Sequence, residues 1–555
     1  MSTPRSRRRR GSISAMTVAA LTPADVAAAS PDAFTVIGLP DTQNYSESYP
    51  EIFLAQTQWI SSRVGSLDIR FVSHYGDVVQ HGDDLEEWDN AEAALSVLDA
   101  TGVPWGVVPG NHDVTPDGFS GTPYIPQFFR DRFGPQRWDG RPWYLGSSPS
   151  GMSSATAFHA AGRAWLWLHV ECDLPVREME WAQSILDAHR GMPAVLTTHR
   201  WLQDAEDYTG GVPLVPSGRY PGIWYQVEGV YADGGVQVED AWRWFVRRNP
   251  SIFLVNCGHF HEEFRQTSVN VAGLPVHEVL ADYQDDPNGG DGWLRIMRFD
   301  VAEGRIDFES FSPTLQATRT ADESLFSLPV DFDAHGLPST EAFSAFQEGI
   351  GGYVGTQDTW VDQSNPDASY GDDAIRISDD DVQNALFSDA RGQVLIRWDG
   401  IVGPAGAAAA IPAGATVLEA FVTIEVAEDI DSPFFDPDFA VYEVIRPWDE
   451  SSTWNSLDGG LVPGEDLGEL VGTFSGDNDP DADGMRRIDV TGLVQRWVDG
   501  QPNQGIAIMP EIIPGNDDGI GLWTSESANA LLRPRLEVRW LRPAPPCSCL
   551  LYTSD

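Results

Sequence analysis

Between residues 34 and 113, short apolar runs alternate with segments of helical spacing. Residues 34–41 (FTVIGLPD) read as a strand running into a loop. Residues 51–64 (EIFLAQTQWISSRV) read as an amphipathic helix, with apolar positions three and four apart. The pattern repeats with a strand at 69–77 (IRFVSHYGD), a helix at 85–100 (LEEWDNAEAALSVLDA) and a strand at 103–113 (VPWGVVPGNHD). Further strands fall at 164–171, 193–199 and 251–259, and a helix at 178–190. Such alternation predicts an α/β unit with neighbouring parallel strands. Residues 294–311 (LRIMRFDVAEGRIDFESF) read as a hairpin about a Glu-Gly turn. Residues 333–355 are Gly-rich, lack strong periodicity and read as a linker.

From residue 356 the helical period disappears. Short β-type runs (GQVLIRW, TVLEAFVTIEV, FAVYEVI, QGIAIMP and PRLEVRW) recur between Gly, Pro, Asp and Asn clusters, and only DVTGLVQRWVDG reads as a short helix. This is the pattern of an all-β sandwich or jelly roll over 356–541.

Charge narrows the function classes. The 555 residues carry 83 acidic and 35 basic side chains, a net charge of −48, and no lysine. Clustered cations that would coat nucleic acid or hold an anionic membrane surface are missing. A hydrophobic content of 42% with 20 Trp separates the chain from a disordered acidic tract. No apolar run is long enough for a transmembrane helix. Arg5 and Arg7 to Arg10, then GSISAMTVAAL and small residues, form a signal-like or disordered N-terminus over 1–30 and predict an exported, extracellular or cell-surface protein. Cys172 and Cys257 sit in apolar runs and read as buried free thiols, with a disulfide between them as the alternative. Cys547 and Cys549 belong to a tail (542–555, ending CSCLLYTSD) that continues no earlier pattern and reads as non-native.

The candidate chemistry lies at the strand ends: Asp41 and Gln43 in PDTQ, Asp77 in YGD, Asn111, His112 and Asp113 in GNHD, His199 in TTHR, His259 and His261 in GHFH. Active residues of open α/β folds gather at the carboxyl ends of strands. Mixed oxygen and nitrogen donors suit Mn, Fe, Zn or Ni rather than a thiolate site. Taken singly, each is more often a turn residue, a cap or a core histidine.

This ordered set, D-x-[HQ], G-D, G-N-H-[DE], H and G-H-x-H, resembles the calcineurin-like metallophosphoesterase family over roughly 34–330. The resemblance implies a β-sandwich flanked by helices (31–332) and two divalent metal ions (Mn, Fe, Zn or Mg). It implies hydrolysis of phosphate mono- or diesters by a bridging hydroxide. It places Asp41, Gln43, Asp77 and His261 around the first metal, and Asp77, Asn111, His199 and His259 around the second. His112 would face the substrate and Asp113 would orient its ring. Gln43 departs from the family, where His is more usual, and either shifts the expected metal toward Mn or Mg or leaves the first ion more loosely held. Nothing in these donors selects among nucleotide, lipid-headgroup and sugar phosphates.

Aromatics in Gly/Pro-rich stretches after the motifs (Trp143, Tyr144, Trp201, Tyr208, Trp224 and Tyr225) read as loop packing, with a substrate-shaping wall as the alternative. The stretch 202–235 is the lid candidate. His74, His81, His159, His169 and His189 receive no site role, and Asp83 and Asp84 read as a solvated helix start. Residues 356–541 resemble a DNRLRE-type domain, which implies attachment to a polysaccharide or cell-surface glycan, or an inert spacer. Asp477, Asp479, Asp481 and Asp483 read as a Ca²⁺ site or a solvated loop. A non-catalytic surface-binding protein on a metal-stabilised scaffold is the competing function.

Overall fold

The computed structural model describes residues 32–118, 122–204, 217–220, 235–379, 391–404, 410–429, 438–475, 484–510 and 519–542. The signal-like segment 1–30, Tyr208, Trp224, Tyr225, most of the 202–235 stretch, Asp477, Asp479, Asp481, Asp483, and Cys547 and Cys549 in the tail lie outside these residues. The described residues form two compact units, one from those within 32–175, 193–239 and 252–335, the other from those within 176–192, 240–251 and 336–542.

The first unit holds two seven-stranded sheets. In one, Ala33–Leu39 pairs in parallel with Ile69–His74, which pairs in parallel with Trp105–Val107. Leu294–Asp300 and Arg305–Ser312 extend this sheet antiparallel from the other side of Ala33–Leu39. In the other, Arg163–His169, Ala194–Thr197, Ile252–Cys257 and Pro275–Asp282 run parallel in that order. The period-two rule sorts Ala33–Leu39 between two cores. Phe34 and Val36 join Phe71, Trp165, Trp167, Phe253 and Phe299, which come from both sheets. Ile37 and Leu39 face Phe53, Ile60, Trp88 and Leu95 of the helices Pro50–Arg63 and Leu85–Asp99. Both faces of the strand are therefore dry, which is why it reads as a continuous apolar run. The predicted hairpin turns at Gly304, whose φ of 63° suits a residue without Cβ.

The second unit is built on one antiparallel sheet of eleven strands. Its core gathers Trp398, Val422, Ile424, Val441, Ile508 and Val538, with Leu493, Val494 and Trp497 from the helix Thr491–Val498. The stretch read as a linker contains a strand, Glu341–Gln347, paired with Arg535–Leu541. EAFSAFQ buries Ala342, Ser344 and Phe346 on one face, a short alternation that Gly-rich flanks obscure in the sequence. Cys172 and Cys257 are buried and free, with no disulfide between them.

Candidate metal centre

Asp77 follows Gly76 at the end of Ile69–His74, and both residues have left-handed backbone (φ 48° and 102°). That sharp turn aims the carboxylate back across the strand ends. Its Oδ1 accepts the His112 amide (3.0 Å), and its Oδ2 lies 3.1 Å from His199 Nε2. His199 Nδ1 donates to the Tyr75 carbonyl (2.9 Å), which fixes the tautomer and turns Nε2 toward Asp77. His259, also left-handed at φ 73°, places Nδ1 3.2 Å from His199 Nε2. The ligand atoms of Asp77, His199 and His259 all lie within 4.8 Å of one another.

Asp41 joins this group from the neighbouring strand end. Its carboxylate accepts the His259 amide (3.1 and 3.3 Å) and stands 3.7 Å from His199 Nδ1. Two glycines make room for the carboxylates. A Cβ on Gly110 would overlap Asp77 Oδ1, and one on Gly258 would overlap Asp41 Oδ2. Gln43 is buried at the start of the helix Gln43–Ser48, and its Oε1 has no hydrogen-bond partner. Asn111 spends Nδ2 on the Gly118 carbonyl (2.9 Å), which leaves its shielded Oδ1 equally unpartnered. His261 has a part-exposed ring whose Nδ1 meets Asp285 Oδ2 at 2.6 Å.

The electrostatics are those of a cation cradle. Burial pushes the Asp41 carboxyl well up, helped by Asp282 and Asp77. Burial also raises Asp77, but the rings of His199, His112 and His259 outweigh it and hold Asp77 well below the ordinary carboxylate range. Burial opposes charge on His199, yet Asp77 and Asp41 push it up to about 10. A proton there answers two buried carboxylates, which is the work a divalent cation does in such a site. The donor set also fits a metal on hydrogen-bonding grounds. Several buried acceptors lack donors among the described residues, Gln56 Oε1 and Asn256 Oδ1 among them, so the feature counts only by its place. Two of them here, Gln43 Oε1 and Asn111 Oδ1, come from motifs that also deliver carboxylates and imidazoles. Oxygen and nitrogen donors of this kind suit Mn, Fe, Zn or Mg.

Asp113 does not hold the His112 ring. It is fully buried, and its carboxylate accepts the amides of Val78 (2.8 Å), Val79 (3.0 Å) and Gly110 (2.8 Å). His112 Nδ1 instead lies 2.7 Å from the Gln80 carbonyl. A carbonyl only accepts, so Nδ1 carries the hydrogen that meets Gln80. Burial and the neighbouring Asp77 push Asp113 up to about 8, against those amide bonds.

Two carboxylates beside the site went unnoticed in the sequence. Asp282, buried at the end of Pro275–Asp282, is pushed up to about 6 by burial. Asp285 holds His261. The signal was present, since PVHEVLAD is an apolar run ending in Asp like the other strand ends. Trp201 is packing, buried with Nε1 donating to Glu278 (2.6 Å), and Trp143 and Tyr144 pack against the helix-side core. Asp84 caps the helix Leu85–Asp99 by accepting the Glu86 and Glu87 amides.

No protein-family model matches the chain. It is 31% identical over 307 residues to the Bacillus subtilis protein YvnB, a match covering 54% of this chain and 21% of that one. The chain therefore spans about a fifth of the length of that relative. Among solved structures it resembles a dimetal phosphatase from Danio rerio (12% identity, TM-score 0.31, 54% of this chain and 99% of that one). It also resembles a purple acid phosphatase from yellow lupin seeds (13% identity, TM-score 0.35, 55% of each chain). At these TM-scores and identities, neither likeness carries an assignment of function to this chain.

Proposed function

We propose that this chain is a metal-dependent hydrolase of phosphate esters with a dinuclear centre. The observation that carries this reading is the convergence of Asp41, Asp77, His199 and His259 from separate strand ends, with two unpartnered amide oxygens on Gln43 and Asn111. Asp77, Asn111, His199 and His259 would hold one cation. Asp41, Gln43, Asp77 and His261 would hold the other. Bound divalent cations supply positive charge to phosphoryl oxygens and activate water at neutral pH. The chain's own residues do the rest. Tyr75 fixes the orientation of His199, Gly110 and Gly258 let two backbones approach the carboxylates, and Gln80 leaves His112 Nε2 to give a proton to the leaving oxygen.

The test is hydrolysis of bis-p-nitrophenyl phosphate and p-nitrophenyl phosphate by metal-loaded and chelator-stripped protein. Two cations per chain, activity lost on stripping and activity restored by Mn, Fe, Zn or Mg are expected. Undiminished activity after complete stripping would sink the proposal. Export and glycan attachment through residues 356–541 form part of the same proposal, supported by the N-terminal pattern and the DNRLRE-type resemblance. Retention of the full chain on an insoluble-polysaccharide panel tests the attachment.

A further inference from the structure

The turn that carries Asp77 is held by two buried carboxylates. The amides of four successive residues, Val78 to His81, point to acceptors that are not backbone carbonyls. Asp113 takes Val78 and Val79, and Glu87 Oε2 takes Gln80 (2.7 Å) and His81 (2.8 Å). Each pair of consecutive amides makes a small anion-binding concavity, and here the chain fills each with one of its own carboxylates. Glu87 is buried, and its other oxygen, Oε1, meets His81 Nδ1 at 2.7 Å. Glu47, His81 and Glu87 offer ligand atoms within 4.8 Å of one another, a spacing that would also suit a cation. Both oxygens of Glu87, however, are already engaged by the 80–81 turn, so holding that turn is the work its geometry fits.

The consequence lies on the far side of the Gln80 backbone. Its carbonyl shares a peptide plane with the His81 amide, which Glu87 fixes (2.8 Å), and that carbonyl receives His112 Nδ1 (2.7 Å). We propose that Glu87 is a positioning residue for His112, acting through the Gln80 carbonyl to keep the proton on Nδ1. The kinetic part of this inference rests on the phosphoesterase reading; the tautomer part does not.

The test uses the full chain, labelled with ¹⁵N-histidine and loaded with Mg²⁺, with His112→Ala to assign the His112 signals. In the parent protein the ¹⁵N shifts should report an Nδ1–H tautomer. Glu87→Gln, which removes the negative charge and the acceptor that meets the His81 ring and so loosens the turn, should give mixed tautomers with an unchanged metal content per chain. On p-nitrophenyl phosphate it should lower kcat about 10-fold or more, a part of the ~10²–10⁴-fold that a general acid supplies, at unchanged KM. Added to His112→Ala, it should cost nothing further, because residues acting through one another are not additive. Glu87→Asp, which keeps the charge but is one methylene too short to reach the two amides and the His81 ring together, should show the same pattern. An unshifted His112 tautomer, loss of metal, or a full further loss in the double variant would overturn the proposal. Failure of both Glu87 variants to fold would reduce Glu87 to a stabilising residue and overturn it too. If the parent protein hydrolyses no phosphoester, the phosphoesterase reading fails, and the ¹⁵N measurement alone decides the role of Glu87.

Discussion

His112 has its Nδ1 committed to the Gln80 carbonyl, so any proton it delivers leaves from Nε2. His112→Ala is therefore expected to keep both cations while losing ~10²–10⁴ in turnover. Elemental analysis alongside kcat checks it, and parallel loss of metal would move His112 into the cradle itself. Asp77→Asn is expected to release metal from both positions, since it removes the carboxylate that lies against the His199 and His112 groups. The proximity of Asp77, His199 and His259 was legible in the sequence because each stands where an apolar run breaks. The work of Asp113 was not legible. Its side chain answers backbone amides whose direction is set by a left-handed turn at Gly76 and Asp77, and residue types do not reveal that turn. Asp282 went unread although its strand ends as the others do, because the motif pattern had already been completed elsewhere.

Strand ends deliver these groups only if neighbouring backbone stays out of their way. Gly110 has no left-handed φ, so alanine fits its backbone but not the space, which Asp77 Oδ1 fills. Gly110→Ala should displace that carboxylate, at a cost of ~1–3 kcal/mol for overpacking. A modest fall in melting temperature with a large loss of bound metal is expected; wild-type metal content would show that Asp77 needs no such clearance. In the second unit, Arg376 and Asp358 form an ion pair at 2.9 Å with both side chains 1% exposed. Removing one partner of a buried pair costs up to ~3–5 kcal/mol, and less here because Arg376 keeps Glu526 at 2.9 Å. Asp358→Ala should lower the denaturation midpoint accordingly, and an unchanged midpoint would assign the pair no such weight. Elements of strong period were readable in advance, including the strand and helix alternation of the first unit. Glu341–Gln347 was not, because seven residues flanked by glycine-rich chain carry too few repeats to stand out.

At the scale of the whole molecule, the net charge of −48 opposes any anionic substrate before it reaches the strand ends. On the proposed reading, cations held by Asp41, Asp77 and their neighbours would act at short range. The remaining carboxylates act over the screening length, which falls from ~30 Å at 0.01 M salt to ~8 Å at 0.15 M. Association of like charges speeds up as screening shortens, the reverse of steered encounter between opposite charges. For this chain kcat/KM should therefore rise with added salt. The rise should be steeper for p-nitrophenyl phosphate, a dianion near neutral pH, than for the monoanion bis-p-nitrophenyl phosphate, with kcat nearly constant for both. Measuring the two slopes at fixed metal concentration, with a non-coordinating salt, separates the long-range field from the site. A kcat/KM that falls with salt for the dianion would mean that the local field of the metal centre outweighs the acidic surface at the distance where substrate commits.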